Sequence, residues 1–430
     1  MASGAATQSA TRDAGDLNYM QQDAREKDTI LLLGGSRQQV VAIETAKRLG
    51  YRTVVCDYLP DNPGQYVADV AYSTSTTDRE AVLEVARREH ARGVLAYASD
   101  PAAPTAAYVA EELGLPTNPL RSVEVLSRKN LFRRHLHAHG FPCPVSREVD
   151  VSAAAGAELA RLARGMHLPV VLKPTDSSGS KGITVLDVAD EAGFDRALAH
   201  ARSFSRNGIL ELEEYIHYGF PRVVGGDIFV THGEVRFWGL MSCLRDEELG
   251  GLVPVGERNP SGLTAVQDRA VREQIQDLVT SLDIQFGEFN VEVIVGPDDT
   301  PYFLELGARA GGNMIPVQLS DISGIDLVEA NVRYAMGDDS MDVTFDGNQE
   351  AVCTYVPHAR RDGTFSGLEL SADIEDHVYR TVMYLAEGDH VSRFDGANKA
   401  VGIVFLRFDD VGQMERLLDG ISERIRVRVD

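Results

Sequence analysis

Lys173 stands at the end of the apolar run Leu168–Pro174, where a buried ammonium requires an anion. The next residues, Thr175-Asp176-Ser177-Ser178-Gly179-Ser180-Lys181-Gly182-Ile183, are small, hydroxylated or basic. Backbone of that kind approaches a polyphosphate closely and offers it N–H, O–H and ammonium donors. It is not a P-loop, because the GxxxxGK[ST] order is absent, and taken alone a Ser/Gly-rich turn is more often only a turn. Farther on, Phe289–Val295 and Pro301–Leu306 predict two strands joined by the turn Gly296–Thr300, and each places one carboxylate, Glu292 or Glu305, among apolar residues. Two such carboxylates facing each other repel unless a divalent cation lies between them. Arg309 follows closely, able to hold a carboxylate or an acyl-phosphate oxygen by two parallel hydrogen bonds, or else to form a salt bridge to Glu305. Glu213-Glu214-Tyr215-Ile216, at the end of the apolar run Gly208–Leu212, combines an acid with main-chain amides that suit the amino edge of a purine; the plain alternative is a strand end with solvated carboxylates.

These residues need a scaffold. Thr29–Leu33 followed by Gly34-Gly35 and the amphipathic stretch Gln39–Leu49 predicts strand, tight turn and helix. Arg52–Tyr58, Asp78–Glu89, Gly93–Tyr97 and Thr105–Leu113 continue the alternation, which implies a parallel sheet covered by helices on both faces. Gly34-Gly35 lacks the third glycine of a dinucleotide fingerprint, and with Asp57 alone after the second strand a tight βα turn is favoured over a nicotinamide site. Ser122–His139 reads as one helix closed by Gly140-Phe141-Pro142. His135, His137 and His139 lie two apart on that helix and point to different faces, which argues against a metal cluster.

At 430 residues the chain needs two or three packed units. Its formal charge of -23, with no long basic stretch, argues against nonspecific nucleic-acid binding, although a local convergence of Lys and Arg can still hold an anionic nucleotide. Four scattered cysteines, Cys56, Cys143, Cys243 and Cys353, suggest neither a disulfide framework nor a metal site, so a reducing cytoplasm fits best. Met1–Lys27 is polar and mixed in charge, which predicts a disordered tail rather than a signal peptide, and no apolar run is long enough to span a membrane.

Lys129, Lys173, the Ser177–Gly182 flap, the Glu213–Ile216 hinge, Glu292 and the run Leu304-Glu305-Leu306-Gly307-Ala308-Arg309-Ala310-Gly311-Gly312 occur in the order and spacing of the ATP-grasp superfamily. The chain resembles its carboxylate-amine ligase branch, which includes the bacterial L-amino-acid ligases. The resemblance implies an α/β chain: a tail over 1–27, a Rossmann-like N-terminal domain over 28–120, an ATP-grasp domain over 121–340 with its lid near 143–212, and a C-terminal subdomain over 341–430 that completes the grasp. It gives Lys129 and Lys173 to the ATP phosphates, Ser177, Ser178, Gly179, Ser180, Lys181 and Gly182 to the flap, and Glu213, Glu214, Tyr215 and Ile216 to adenine. Glu292 and Glu305 become the ligands of magnesium, with manganese an alternative, and Arg309 orients the acyl group. The implied reaction is ATP-dependent activation of a carboxylate as an acyl phosphate and its ligation to an amine, with amino-acid-like substrates. The alternatives are a carboxylase or purine-pathway-type ligase, and a nucleotide-binding protein that has lost catalysis. The implied partners are small molecules and a second copy in a homodimer, with no nucleic acid and no membrane. Gly307 stands where many members carry a metal-binding Asn, and Gly219-Phe220-Pro221-Arg222 stands where an acidic ribose contact is expected. Specificity is expected in loops within Val230–Leu263, with Arg236, Arg245, Glu257 and Arg258 as candidates.

Overall fold

The structure, a computed structural model, describes residues 27–177, 179, 181–246, 253–396 and 399–430. The expected tail, apart from its last residue, and two flap residues, Ser178 and Ser180, lie outside the described residues.

The first sheet contains β1 (Thr29–Leu33), β2 (Arg52–Cys56), β3 (Val70–Tyr72) and β4 (Ala91–Leu95) in the order β3-β2-β1-β4, all parallel. Every residue of β1 is buried, with Leu31 and Leu33 in one core and Ile30 and Leu32 in another. Helices cover both faces, as a run apolar on both sides requires: α1 (Val40–Arg48), α2 (Gly64–Val67), α3 (Arg79–Arg88) and α4 (Ala103–Leu113). Asp78 caps α3 by accepting from the Ala81 N–H at 3.1 Å. The Gly34-Gly35 turn is held internally, the Gly35 N–H donating to Asp57 Oδ2 at 2.7 Å, which accords with a tight βα turn.

The single helix expected over Ser122–His139 is two: α5 (Leu120–Ser127) and α6 (Lys129–Ala138), broken at Arg128, whose backbone is extended (φ -129, ψ 114). No breaker residue marks this position. The Lys129 N–H donates to Thr175 O at 2.9 Å, so a tertiary bond replaces the helical one and turns the first residue of α6 toward the next sheet.

That sheet, the lid, has the order β5-β8-β6-β7 and contains β5 (Ser146–Asp150), β6 (Val170–Pro174), β7 (Thr184–Leu186) and β8 (Ile209–Glu214). Val149, Val170, Leu172, Leu210 and Leu212 pack into one core with α7 (Gly156–Ala163) and α8 (Glu191–Arg202). Alternation sends Lys173, Glu211 and Glu213 to the opposite face.

The largest sheet has eight strands in the order β13-β12-β9-β10-β11-β14-β18-β16. Its first five are β9 (Val223–Thr231), β10 (Glu234–Arg245), β11 (Pro254–Asn259), β12 (Phe286–Val295) and β13 (Pro301–Gly307). Three more follow from the C-terminal part, β14 (Val352–Tyr355), β16 (Val378–Met383) and β18 (Gly402–Arg407), while β15 (Gly363–Leu370), β17 (His390–Val391) and β19 (Ile425–Val429) form a small separate sheet. The expected specificity loops over Val230–Leu263 are therefore largely strand. Gly226 lets β9 and β10 pair closely, because a Cβ there would lie 2.0 Å from Gly239 O. Helix α9 (Ala265–Ser281), capped by Thr264, covers one face, and α10 (Ile315–Ser323) and α11 (Leu327–Ala335) cover the other and bridge to the first sheet.

Candidate active site

Between the lid and the eight-stranded sheet lies a cavity of about 600 Å³. Lys129, Lys173, Ser177, Gly179, Glu213 to Ile216, Glu292, Glu305 and Arg309 all line it, although they come from five stretches of chain. Lys181 and Gly182 do not; a Cβ on Gly182 would lie 2.8 Å from Pro174, so that glycine serves the close return of the flap.

Lys173 is 5 % exposed and donates to Glu213 Oε1, while Arg133 Nε donates to Glu213 Oε2 at 2.9 Å. Burial works upward on the Glu213 carboxyl, but Arg133 and then Lys173 overcome it and hold it at about 2. Burial pulls the Lys173 ammonium down, and so does Arg133 beside it. Glu213 thus supplies the anion that a buried Lys173 requires, and because Arg133 shares the same carboxylate, positive charge is left over for a second anion in the cavity. Both Glu213 oxygens are taken, so its carboxylate is placed to restrain Lys173 rather than to read adenine. The Glu214 carboxylate turns away and accepts from the His167 N–H at 2.8 Å, which leaves the main chain of Glu214–Ile216 at the cavity wall.

Glu292 and Glu305 are direct partners across β12 and β13. Their side chains are 34 % and 25 % exposed, so they are half-buried and open to the cavity. Burial raises the Glu292 carboxyl, and Glu305 adds to the rise while Arg245 opposes it. Neither acid depends wholly on a metal: Arg245 Nη2 lies 3.7 Å from Glu292 Oε2, and Lys129 Nζ lies 3.4 Å from Glu305 Oε2. The expectation that only a cation makes the pairing tolerable is corrected accordingly. Among the described residues no group of three His, Cys, Asp or Glu could hold a metal. A pair of carboxylates nevertheless suits magnesium, which binds through one or two carboxylates, substrate phosphates and retained waters.

Arg309 does not bridge to Glu305. Its Nε and Nη2 donate to Asp100 Oδ1 and Oδ2 at 2.6 and 2.9 Å, and Nη1 donates to Ala310 O at 3.0 Å. A Cβ on Gly307 would meet Asp100 Oδ1 at 3.2 Å and Arg309 Cζ at 3.3 Å, so the glycine gives this pair its room. Asp100 was not singled out from the sequence. Its signal is positional, since it follows the C-terminal end of a parallel strand, where ligands of open α/β sheets gather. Asp227 was missed as well: fully buried on β9, it accepts from the Gly311 N–H at 2.8 Å and from Asn290 Nδ2 at 2.9 Å and so fixes the loop after β13.

Of the four specificity candidates, Arg245 and Glu257 line the cavity, and burial pushes the Glu257 carboxyl up to about 8. Arg236 is corrected to the surface, where it donates to Thr344 Oγ1 at 3.2 Å. Arg258 is corrected to a buried position outside the cavity, paired at 2.8 Å with the exposed Glu415.

A grasp of this kind, two sheets closing on a cavity with lysines on one jaw and paired carboxylates on the other, defines an ATP-grasp enzyme. Residues 128–342 match the family described as the carbamoyl-phosphate synthase L chain, ATP binding domain, and the chain belongs to that ATP-grasp family, whose members are ATP- and magnesium-dependent, ADP-forming enzymes. It is 35 % identical over 312 residues to a formate-dependent phosphoribosylglycinamide formyltransferase of Synechococcus sp. (strain CC9605), covering 72 % of this chain and 76 % of that one. A protein of the same description from Synechocystis sp. is 24 % identical over 94 % of this chain and 98 % of its own. In fold, the chain is similar to an L-amino acid ligase from Bacillus licheniformis (TM-score 0.76, 19 % identity, 94 % and 99 % covered). It is also similar to a phosphoribosylglycinamide synthetase from Anaerococcus prevotii (TM-score 0.72, 18 % identity, 94 % and 100 % covered).

Proposed function

We propose that the chain phosphorylates a small carboxylate with ATP and passes the acyl group to a primary amine, with formate and the glycyl amine of phosphoribosylglycinamide as the pair favoured over amino acids. The carrying observation is Glu292 opposite Glu305 in register, facing Lys129 and Lys173 within one cavity. The choice of substrates rests on the formyltransferase relatives, one of which is 35 % identical to this chain.

In this reading Lys129 and Lys173 hold the ATP phosphates, the flap from Ser177 to Gly182 covers them, and the main chain near Ile216 meets adenine. Glu292 and Glu305 hold magnesium, which neutralises the charge of the phosphates when bound. A carboxylate oxygen attacks the γ-phosphorus and the bond to the β-phosphate oxygen breaks, releasing ADP. Arg309, held by Asp100, presents its remaining N–H donors toward the acyl phosphate. The amine nitrogen then attacks the acyl carbon, the carbon–oxygen bond to phosphorus breaks, and phosphate and a proton leave. No covalent enzyme intermediate is needed, so the protein's work is alignment and charge neutralisation.

A second reading, amino-acid ligation, is favoured by one observation: Arg245 and Glu257 both line the cavity and offer groups of opposite character to a zwitterion. ADP release, followed with formate plus phosphoribosylglycinamide and separately with pairs of amino acids, decides between them. Release with neither, together with no hydroxamate when hydroxylamine is added to trap an acyl phosphate, overturns both.

A further inference from the structure

A second cavity, of about 560 Å³, lies between α6 and the β5 edge of the lid sheet. Its lining shares no residue with the first cavity. Three of its side chains are almost wholly buried: Asn130 at 6 %, Arg133 at 2 % and Glu211 at 2 %. Each carries a buried polar atom with no hydrogen-bond partner among the described residues, namely Asn130 Oδ1, Arg133 Nη1 and Glu211 Oε2. An unpaired buried polar atom is unfavourable, and three at one cavity form a concentration that folding alone does not favour. A group placed in the cavity can supply those partners when the side chains turn toward it.

The chemistry of those atoms specifies that group. Arg133 Nη1 requires an acceptor; Asn130 Oδ1 and Glu211 Oε2 require donors. The charge count limits it further. Among the charged groups around the cavity, Arg134 pairs with Glu148 and Arg133 shares Glu213 with Lys173, which leaves Arg147 and Glu211, of opposite sign, so a ligand that carries both charges finds a counterpart for each. Burial pushes the Glu211 carboxyl up, a rise that a neighbouring ammonium would reverse.

We propose that this cavity is a second ligand site, taking a small zwitterion of the α-amino-acid class, carboxylate on Arg133 and ammonium on Glu211 and Asn130. Arg133 also holds Glu213, and Glu213 holds Lys173, so the site is joined to the ATP cleft by a chain of three charged groups. A carboxylate on Arg133 draws that guanidinium from Glu213, which then restrains Lys173 more tightly. The occupant therefore weakens ATP binding, and ATP weakens the occupant by the same factor.

The test is calorimetric titration of the full chain with each of the standard L-amino acids, with and without a non-hydrolysable ATP analogue. At least one is expected to bind at millimolar concentration or below, about five-fold more weakly when the analogue is present. Cys143→Phe, which fills the cavity without touching the ATP cleft, should abolish that binding while leaving analogue binding intact, and Glu211→Gln should weaken it at least about ten-fold. If no amino acid binds, the proposal fails. It also fails if one binds equally to wild type and both variants, which places it in the ATP cleft, or if crystals soaked in the amino acid hold only ordered water on Arg133, Asn130 and Glu211.

Discussion

Replacing Lys173 by Met keeps the length of the stem and removes the ammonium, and the consequence depends on what Glu213 retains. Stripping a buried carboxylate of its only partner costs about 3–5 kcal/mol. Glu213, however, still accepts from Arg133 Nε at 2.9 Å, so the loss is that of one charge-assisted hydrogen bond in a cluster that keeps another. That is worth about 1.5–3 kcal/mol, of which part returns because the Lys173 ammonium no longer has to be buried beside Arg133. A folded protein with a modestly lowered unfolding midpoint is expected. In the nucleotide complex the same substitution removes a charged donor to a phosphate oxygen, again about 1.5–3 kcal/mol, or roughly a 10- to 100-fold rise in Kd for ATP. Thermal unfolding without nucleotide and calorimetric titration with ATP measure the two effects separately. An unchanged ATP affinity would refute the assignment of Lys173 to the phosphates. A variant that does not fold would show that Arg133 alone cannot sustain Glu213.

Glu305→Gln is expected to cut ADP formation by at least about 100-fold, since charge at the phosphates is no longer neutralised. Its unfolding midpoint in EDTA should move little, because relief of repulsion from Glu292 is offset by loss of the ion pair with Lys129. Asp100→Asn leaves Arg309 without its fixed partner and should lower kcat about ten-fold with little change in KM for ATP, as steady-state kinetics would register. The Glu213 carboxyl lies at about 2 in the folded chain against 4.5 ordinarily, so its contribution is complete above pH 4.5 and is lost as pH falls toward 2; Glu213→Gln should flatten the urea midpoint over that window. Removal of divalent metal with EDTA should abolish turnover and leave the circular dichroism spectrum unchanged.

The parallel N-terminal sheet was legible because strands buried on both faces are apolar throughout, as Thr29–Leu33 is, and because helices of matching period separate them. The hairpin bearing Glu292 and Glu305 was legible as a hairpin, but its turn does not set the pairing of the two acids: Val295 opposite Pro301 would put Glu292 against Leu304, and a bulge between Glu292 and Val293 brings it opposite Glu305 instead. What failed to appear depended on distant contacts. The break at Arg128 comes from a bond to Thr175, and the partner of Arg309 comes from a strand end 209 residues earlier in the chain. Loops were expected over Val230–Leu263 because specificity was placed there, not from any local pattern; the stretch is largely β10 and β11, and Gly226 and Gly239 let β9 and β10 approach where a Cβ would collide. The cation on each side of Glu213 and the carboxylate behind the loop at Gly311 are likewise products of packing, invisible to local pattern.

The order of the eight-stranded sheet carries a consequence for how the protein is made. Strand β11 pairs with β10 on one side and with β14 on the other. On the ribosome, β9 to β13 can assemble as soon as they emerge, yet the outer edge of β11 then has nothing to bond until residues from Val352 onward are synthesised. For that interval the nascent chain displays a strand edge of the kind that templates intermolecular pairing. A product truncated before Val352 would keep the acidic hairpin and most of the cleft but would carry this edge permanently, and aggregation rather than loss of the metal ligands would be its first defect.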